Sequence, residues 1–320
     1  MKPLKWSHSL DNSVRACPRK AFLAGRYANP KTADGKSRRE AFLVNQAADV
    51  ARWRGNLIHL AIERCLLPAL KKGENPKFES TQRWLYALID SQANFSGAGK
   101  YRIYSQERGG ISYCVLRSDL LGSGTTPAEI EEVKETSMIA LNNLREKFSE
   151  LFERIKIAKK IEVEKPIRIK LDDRIRIEAI PDLIIEEDQK ITIVDWKAGL
   201  NFSAHAREQL YVYAYAVFFS EWWQNITIEN IELLEANLMT GDLFSYPVDE
   251  DNLSDVDNRI FTGSQLLEPI YEKLVDELSF TDFASAQSPG TCEGCAVKEI
   301  CNGKILPQRK AKQGSLFELV

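Results

Sequence analysis

The sequence predicts an α/β fold with a mixed central sheet flanked by helices. Three observations carry this. Apolar residues recur at helical spacing over long stretches of the first half, at about 42–66, 79–93 and 127–158. Near residue 160 the period changes to two, and strands are expected at about 160–171, 174–186 and 190–197, running as a meander. A helix at about 203–223 is then followed by strands at 229–239 and 243–248 around Thr240-Gly241-Asp242, and by a long helix at about 253–279. Helices, a strand meander, then helix and strand again suit a sheet covered on both faces.

Residues 1–28 read as a helical entry in which Ser9 or Asp11 could cap a helix carrying Val14, Cys17, Ala21 and Phe22, with a break at Pro18. Residues 29–40 are a polar loop. In the helix at 42–66, His59 and Glu63 share a face, and Gly55 in its middle costs stability and so hints at close packing. Trp84, Leu85, Leu88 and Ile89 mark the helix at 79–93. Thr126-Pro127-Ala128-Glu129 is a capping box with proline at the first helical position, and the apolar face runs on through Ile130, Val133, Leu141, Leu144, Phe148, Leu151 and Ile155. The chain therefore reads as one domain over 1–312, with a helical insertion at 68–158, end segments at 1–40 and 285–305 that carry cysteines, and a flexible tail at 306–320.

Hydrophobic content of 44% and charged content of 28% are ordinary for a globular protein with a sizeable core. No apolar run approaches a membrane span and the first residues lack a signal-peptide core, so a cytoplasmic protein without a membrane partner is expected. The net charge of −3 does not itself point to nucleic acid, but its distribution does. Residues 1–64 hold 13 Lys and Arg against 5 Asp and Glu, and the stretch 302–313 has Lys304, Arg309, Lys310 and Lys312 with no acid. If these ends lie together, a basic surface sits on an acidic body. Six cysteines in a large, apparently cytosolic chain point to metal binding more than to disulfides.

The stretch Ile191-Thr192-Ile193-Val194-Asp195-Trp196-Lys197-Ala198-Gly199 is a strand with a glycine stop. Residues i and i+2 of a strand share a face, so Asp195 and Lys197 project together. A carboxylate beside an ammonium suits metal-assisted phosphodiester hydrolysis: the acid holds a divalent cation, and the lysine meets the attacking water and the charge building on phosphorus. Asp182 lies on the preceding strand, in Ala179-Ile180-Pro181-Asp182-Leu183-Ile184. A turn at Glu186–Lys190 would pair the two strands antiparallel and bring Asp182 and Asp195 to one cation, for which Mg²⁺ is a natural occupant. Gln209 and Tyr213 share a face of the next helix and could meet substrate phosphates or orient Lys197. His59 becomes a candidate metal ligand because two carboxylates and a lysine follow it.

Together these residues resemble the PD-(D/E)XK nuclease superfamily, and within it the RecB-like branch. The G-x-x-x-H helix is Gly55 to His59, the P-D step is Pro181-Asp182, D-x-K-x-G is Asp195 to Gly199, and Q-x-x-x-Y is Gln209 to Tyr213, in the expected order. The resemblance implies a restriction-endonuclease-like sheet. It also implies Mg²⁺ or Mn²⁺ held by His59, Asp182, Asp195 and the Trp196 carbonyl, with Lys197 catalytic. Residues 68–158 carry no motif of the family.

Cys292-x2-Cys295-x5-Cys301 is a compact three-ligand set, and Cys17 in Arg15-Ala16-Cys17-Pro18-Arg19-Lys20 is a candidate fourth. One distant cysteine before the core and three after it is similar to the iron–sulfur staple of AddB-type nucleases and CRISPR-adaptation nucleases. This likeness implies a 4Fe–4S cluster that ties the C-terminal segment to the N-terminus, with basic segments near the active site. Four thiolates also make a structural zinc site, and the residues alone leave Zn²⁺ open. Arg15, Arg19 and Lys20 are candidates for DNA-backbone contacts. Cys65 and Cys114 have no partner at ligand spacing and read as small buried hydrophobes. Gln313-Gly314-Ser315-Leu316-Phe317 resembles a peptide that binds the bacterial sliding clamp, with Gln313, Leu316 and Phe317 as its anchors.

The reading that results is a metal-dependent DNA nuclease, an exonuclease on single-stranded DNA or DNA ends, acting in repair, recombination or anti-phage defence. Asp182, Asp195, Lys197, Gln209 and Tyr213 would form the catalytic set. The alternative from another class is a catalytically silent DNA-end-binding subunit of a helicase–nuclease or defence complex. An RNA nuclease and a zinc-binding adaptor are weaker rivals. No G-x-x-x-x-G-K-[ST] occurs, so unwinding would need a helicase partner.

Overall fold

The computed structural model describes residues 3–28, 36–199, 204–223 and 226–302. They divide into two compact units, one of Ala48–Arg259 and one of Leu4–Ala47 together with the chain from Ile260 onward. In chain order, β1 (Leu4–Trp6), α1 (His8–Ala16), α2 (Pro18–Phe22) and α3 (Lys36–Gln46) come first. A helical half follows: α4 (Val50–Ala61), α5 (Leu67–Leu70), α6 (Phe78–Gly97), α7 (Gln106–Gly109), α8 (Arg117–Leu121), α9 (Pro127–Lys147) and α10 (Ser149–Ile157). Next are β2 (Lys160–Val163), β3 (Ile167–Lys170), β4 (Ile175–Ala179), β5 (Leu183–Glu186) and β6 (Ile191–Lys197). The chain continues with α11 (Ala204–Phe218), β7 (Ile231–Asn237), β8 (Asp242–Tyr246), α12 (Glu250–Tyr271), α13 (Pro289–Glu293) and α14 (Lys298–Cys301).

In the first unit, five strands form a sheet in the order β2-β5-β6-β7-β8. All neighbours are antiparallel except β6 and β7, which run parallel and are joined across α11, as a parallel pair requires. β3 and β4 pair antiparallel. The expected mixed α/β architecture is present, and the two-residue period explains how both faces are covered. Leu183, Ile185, Val194, Trp196, Leu234 and Ala236 join one core with residues of α4, α6, α9 and α10. The alternate residues face the other way, and α11 packs on β6 and β7 through a nearly unbroken buried run from Leu210 to Val217.

Several boundaries depart from the periodicity. The helix expected at 42–66 is two helices. Ala48 exchanges backbone hydrogen bonds with Val115 and Arg117, both at 2.9 Å, and Asp49 then caps α4 by accepting the Arg52 N–H at 2.8 Å. After Ala61 a π-type turn, Ile62–Leu66, leads into α5. The helix expected at 127–158 starts on the expected capping box but breaks at Phe148. The strand expected at 160–171 is split before Pro166, where Glu164 takes φ 45°, and that at 174–186 is split at Pro181. Proline has no N–H for a ladder, so each break lets a different pair of strands form. The helices expected at 203–223 and 253–279 end at Phe218 and Tyr271.

In the second unit, Ser7 rather than Ser9 or Asp11 caps α1, accepting the Leu10 N–H at 3.4 Å. Asp11 is instead fully buried and paired with Arg15 at 2.9 Å. Cys17 separates α1 from α2, with Pro18 at the first position of α2, where its missing N–H is harmless. The Arg26 guanidinium donates to the carbonyls of Ile270 and Lys273, and Phe22 stacks on Phe283 at 4.9 Å between ring centres. No helix among the described residues is long and apolar enough to cross a membrane. Most of the basic stretch 302–313, and Gln313, Leu316 and Phe317, lie outside the described residues.

Candidate active site

The site forms where β2, β5 and β6 end side by side in the first unit. Leu183 opposes Val194 across β5 and β6, so one further step of register sets Asp182 beside Asp195. The Asp182 carboxylate accepts the Trp196 N–H at 2.8 Å. On the other side of β5, Val163 opposes Leu183, and the Glu164 N–H donates to the Asp182 carbonyl at 3.2 Å. α4 supplies His59, whose Nδ1 lies 3.6 Å from Asp182 Oδ1 and whose Nε2 lies 3.0 Å from the Trp196 carbonyl oxygen. A Cβ added to Gly55 would stand 3.9 Å from that of Ala198, an ordinary contact. The helix thus lies against the strand end, but sterics there do not demand glycine.

Lys197 Nζ is 2.6 Å from Asp195 Oδ2, off the axis of a good hydrogen bond, and Oδ2 keeps no aligned hydrogen-bond donor among the described residues. The same ammonium donates to Gln209 Oε1 at 3.0 Å, and the Gln209 amide donates to the Tyr213 hydroxyl. The one-turn spacing of Gln209 and Tyr213 on α11 makes this relay possible.

A buried carboxylate, Asp195, beside a half-buried one, Asp182, is costly in water-poor surroundings. Burial, then the charge of Asp182, push the Asp195 carboxyl up to about 6 against the pull of Lys197 and His59. Burial also raises Asp182, although His59 and the Trp196 N–H draw it down. Burial holds the Tyr213 phenol well above its ordinary value, so it stays protonated.

The donors present fit a hard divalent cation. His59, Glu164 and Asp182 each offer a ligand atom within 4.8 Å of the other two. The His59 Nε2 lies at hydrogen-bond distance, 3.0 Å, from the Trp196 carbonyl oxygen, so that the carbonyl stands beside this ligand group. Asp195 is buried beside this group, with its Oδ2 2.6 Å from the Lys197 ammonium.

Three residues near this site were given no role from the sequence. Glu164 was read as a strand residue; its only signal was the approaching Pro166. Glu235 on β7 is the register partner of Asp195, buried, with its carboxyl raised by burial and accepting the Tyr246 hydroxyl at 2.9 Å. Arg54, adjacent to the G-x-x-x-H motif, is buried and donates to the Ala198 carbonyl at 3.1 Å.

Cys17, Cys292, Cys295 and Cys301 all lie in the second unit, as free thiols. Cys17 and Cys292 are near enough to Cys295 for their charges to act on it, and Lys20 acts there with opposite sign. Arg19 points one guanidinium nitrogen at Cys301 Sγ, 3.7 Å away, donates to the Phe283 carbonyl at 3.1 Å and stacks over Phe280. Arg15 pairs with Asp11 and donates to Thr262 Oγ1 at 2.7 Å. In the first unit, Cys114 is buried, and burial with the charge of Asp119 pushes its thiol up to about 12, while Cys65 is half-buried.

A sequence profile described as the PD-(D/E)XK nuclease superfamily matches residues 5–302. No curated protein matches the chain. A solved structure titled "Crystal structure of SSO0001" aligns with 88% of this chain and 96% of that chain at 14% identity and a TM-score of 0.27, a likeness that carries no weight for fold or function.

Proposed function

Because the chain belongs to the PD-(D/E)XK nuclease superfamily, we propose that it is a metal-dependent deoxyribonuclease that hydrolyses phosphodiester bonds at Asp182, Asp195 and Lys197. The observation that carries this reading is the meeting of the buried Asp195 carboxylate and the half-buried Asp182 carboxylate with a lysine 2.6 Å from Asp195, at adjoining strand ends. Bound Mg²⁺ or Mn²⁺ would supply Lewis-acid activation of water and phosphate. Asp182 and Asp195 would hold the cation with His59 and the Trp196 carbonyl, and Glu164 would add a further oxygen. The Lys197 ammonium orients the attacking water and meets the charge that develops on the phosphate. Gln209 fixes the Lys197 amine, and Tyr213 braces Gln209.

The finer reading is an exonuclease of the RecB-like and AddB-like kind, acting on single-stranded DNA or DNA ends in repair, recombination or defence. A helicase or defence complex would present the strand, and the tail residues Gln313, Leu316 and Phe317 would engage a sliding clamp. Cys17, Cys292, Cys295 and Cys301 would hold a 4Fe–4S cluster, supported by their gathering in one unit as free thiols. Arg15, Arg19 and Lys20 flank it as candidate backbone contacts.

The test is cleavage of end-labelled single- and double-stranded DNA by anaerobically purified protein in Mg²⁺, Mn²⁺ or EDTA. Metal-dependent cleavage is expected, with a ladder that reports polarity. Lys197→Ala is expected to lower the rate by at least about 10²-fold while DNA affinity is kept. Cleavage at the wild-type rate in that variant removes Lys197 from the mechanism. Tight binding without cleavage in any metal assigns the chain to end binding instead.

A further inference from the structure

We propose that Arg54 is a phosphate-binding residue that seats a backbone phosphate of the substrate strand beside the scissile one. This rests on the nuclease reading above and names the part of the site that grips the strand.

Arg54 is 9% exposed. A guanidinium stays charged at every physiological pH, so a buried one needs compensation. Arg154, half-buried in the same unit, illustrates the ordinary solution: it meets Glu187 at 2.6 Å and Glu232 at 2.9 Å. Arg54 has no carboxylate partner among the described residues. Its one acceptor is the Ala198 carbonyl, at 3.1 Å, and its Nε is buried with no hydrogen-bond partner. A neutral carbonyl occupies one arm of the fork and leaves the charge unanswered.

Its position gives this a use. α4 docks on the end of β6 through two side chains, His59 at the Trp196 carbonyl and Arg54 at the Ala198 carbonyl. Lys197 lies between those two carbonyls in sequence. Two residues of extended chain cover about 7 Å, so the guanidinium stands one step along the backbone from the cation ligands. A planar fork with free N–H groups matches a phosphate better than a point charge does, and binds it whatever the base. The incoming phosphodiester would bring the anion that the buried guanidinium lacks.

The test uses the full chain with single-stranded oligonucleotides carrying one neutral methylphosphonate, stepped along the strand. Binding is read in EDTA, where no cleavage intervenes. In the wild-type protein, one position near the cleavage point is expected to cost about tenfold in affinity. Arg54→Gln is expected to bind the unmodified strand about tenfold more weakly and to lose the penalty at that one position. The slope of log Kd against log salt should flatten by about 0.7, the value of one single-strand phosphate contact. A merely structural role would move the melting temperature but not the position-specific penalty or the slope. Arg54→Lys keeps a charge and serves if the glutamine variant does not fold: it is expected to keep the slope and weaken the single-position penalty. A variant with the wild-type methylphosphonate profile and salt slope overturns the proposal, while Lys197-dependent cleavage by wild type would leave the nuclease reading standing. Wild-type protein that neither binds nor cleaves DNA overturns both.

Discussion

At the scale of single residues, the least expected member of the site is Glu164. Its φ of 45° is the one positive φ among the described non-glycine residues. Such a conformation costs about 1–3 kcal/mol and persists where surrounding structure imposes it. Here the split before Pro166 turns the chain so that Glu164 comes beside Asp182 and His59. Glu164→Gln keeps the shape and removes the charge, and is expected to weaken Mn²⁺ binding to the EDTA-stripped protein by about tenfold. Calorimetric titration checks this, and unchanged affinity would leave Glu164 outside the cation's shell. The juxtaposition of Asp182, Asp195 and Lys197 was legible in the sequence because it depends on strand alternation and one symmetrical turn. The Gln209–Tyr213 contact was legible because it is one helical turn. Glu164, Glu235 and Arg54 were not, because each reaches the site through pairing or packing between elements that no local spacing encodes.

At the scale of elements, periodicity located the helices and strands but missed where they break. Ala47–Asp49, Glu164–Pro166 and Pro181 are sites where tertiary hydrogen bonds or a missing N–H override an unbroken apolar pattern, and the helix also breaks at Phe148. Packing also reverses a common rule about glycine. In an exposed helix Gly→Ala gains about 1 kcal/mol. At Gly263 in α12, a Cβ would fall 1.9 Å from Asp11 Oδ1 and 2.8 Å from Trp6 Nε1. Asp11 is fully buried and held by Arg15, so it cannot swing aside cheaply. Gly263→Ala is therefore expected to destabilise by about 1–3 kcal/mol, measured as a lower urea midpoint. A second prediction concerns α10 and the sheet. Burial raises the Glu232 carboxyl, but hydrogen bonds from Arg154, Lys190 and Thr192 win and leave it below its ordinary value. A depressed carboxylate pKa adds stability that is present above the unfolded value, about 4.5, and is lost as pH falls through the folded value. Unfolding midpoints of wild type should thus fall on the acid side of about pH 4.5, and Glu232→Gln should flatten that fall while lowering the midpoint at pH 7. An identical acid limb in the variant would remove Glu232 from the linkage.

At the scale of the molecule, the second unit poses the stability problem. It is assembled from two segments, Leu4–Ala47 and the chain from Ile260, with the whole first unit between them in sequence. Closing so long a loop is entropically costly. The described contacts that offset it include the Arg26 clamp on Ile270 and Lys273, the Phe22–Phe283 stack, and Arg19 bound to Phe283 and Cys301. Cys17 belongs to the first segment and Cys292, Cys295 and Cys301 to the second, so a cluster held by all four would bond the segments together directly. Metal binding would then be part of folding. Cys295→Ser is expected to abolish the visible absorption of anaerobically purified protein, lower bound iron from about four per chain, and lower the melting temperature. Hydrogen exchange should localise the loss to Leu4–Ala47 and the described residues after Ile260, and leave α4, β5 and β6 protected. Colourless wild-type protein with one tightly bound zinc would make the staple Zn²⁺, and the same exchange pattern would still be expected in the variant. An unchanged melting curve and exchange pattern would mean that the apolar and arginine contacts close the loop without the cysteines.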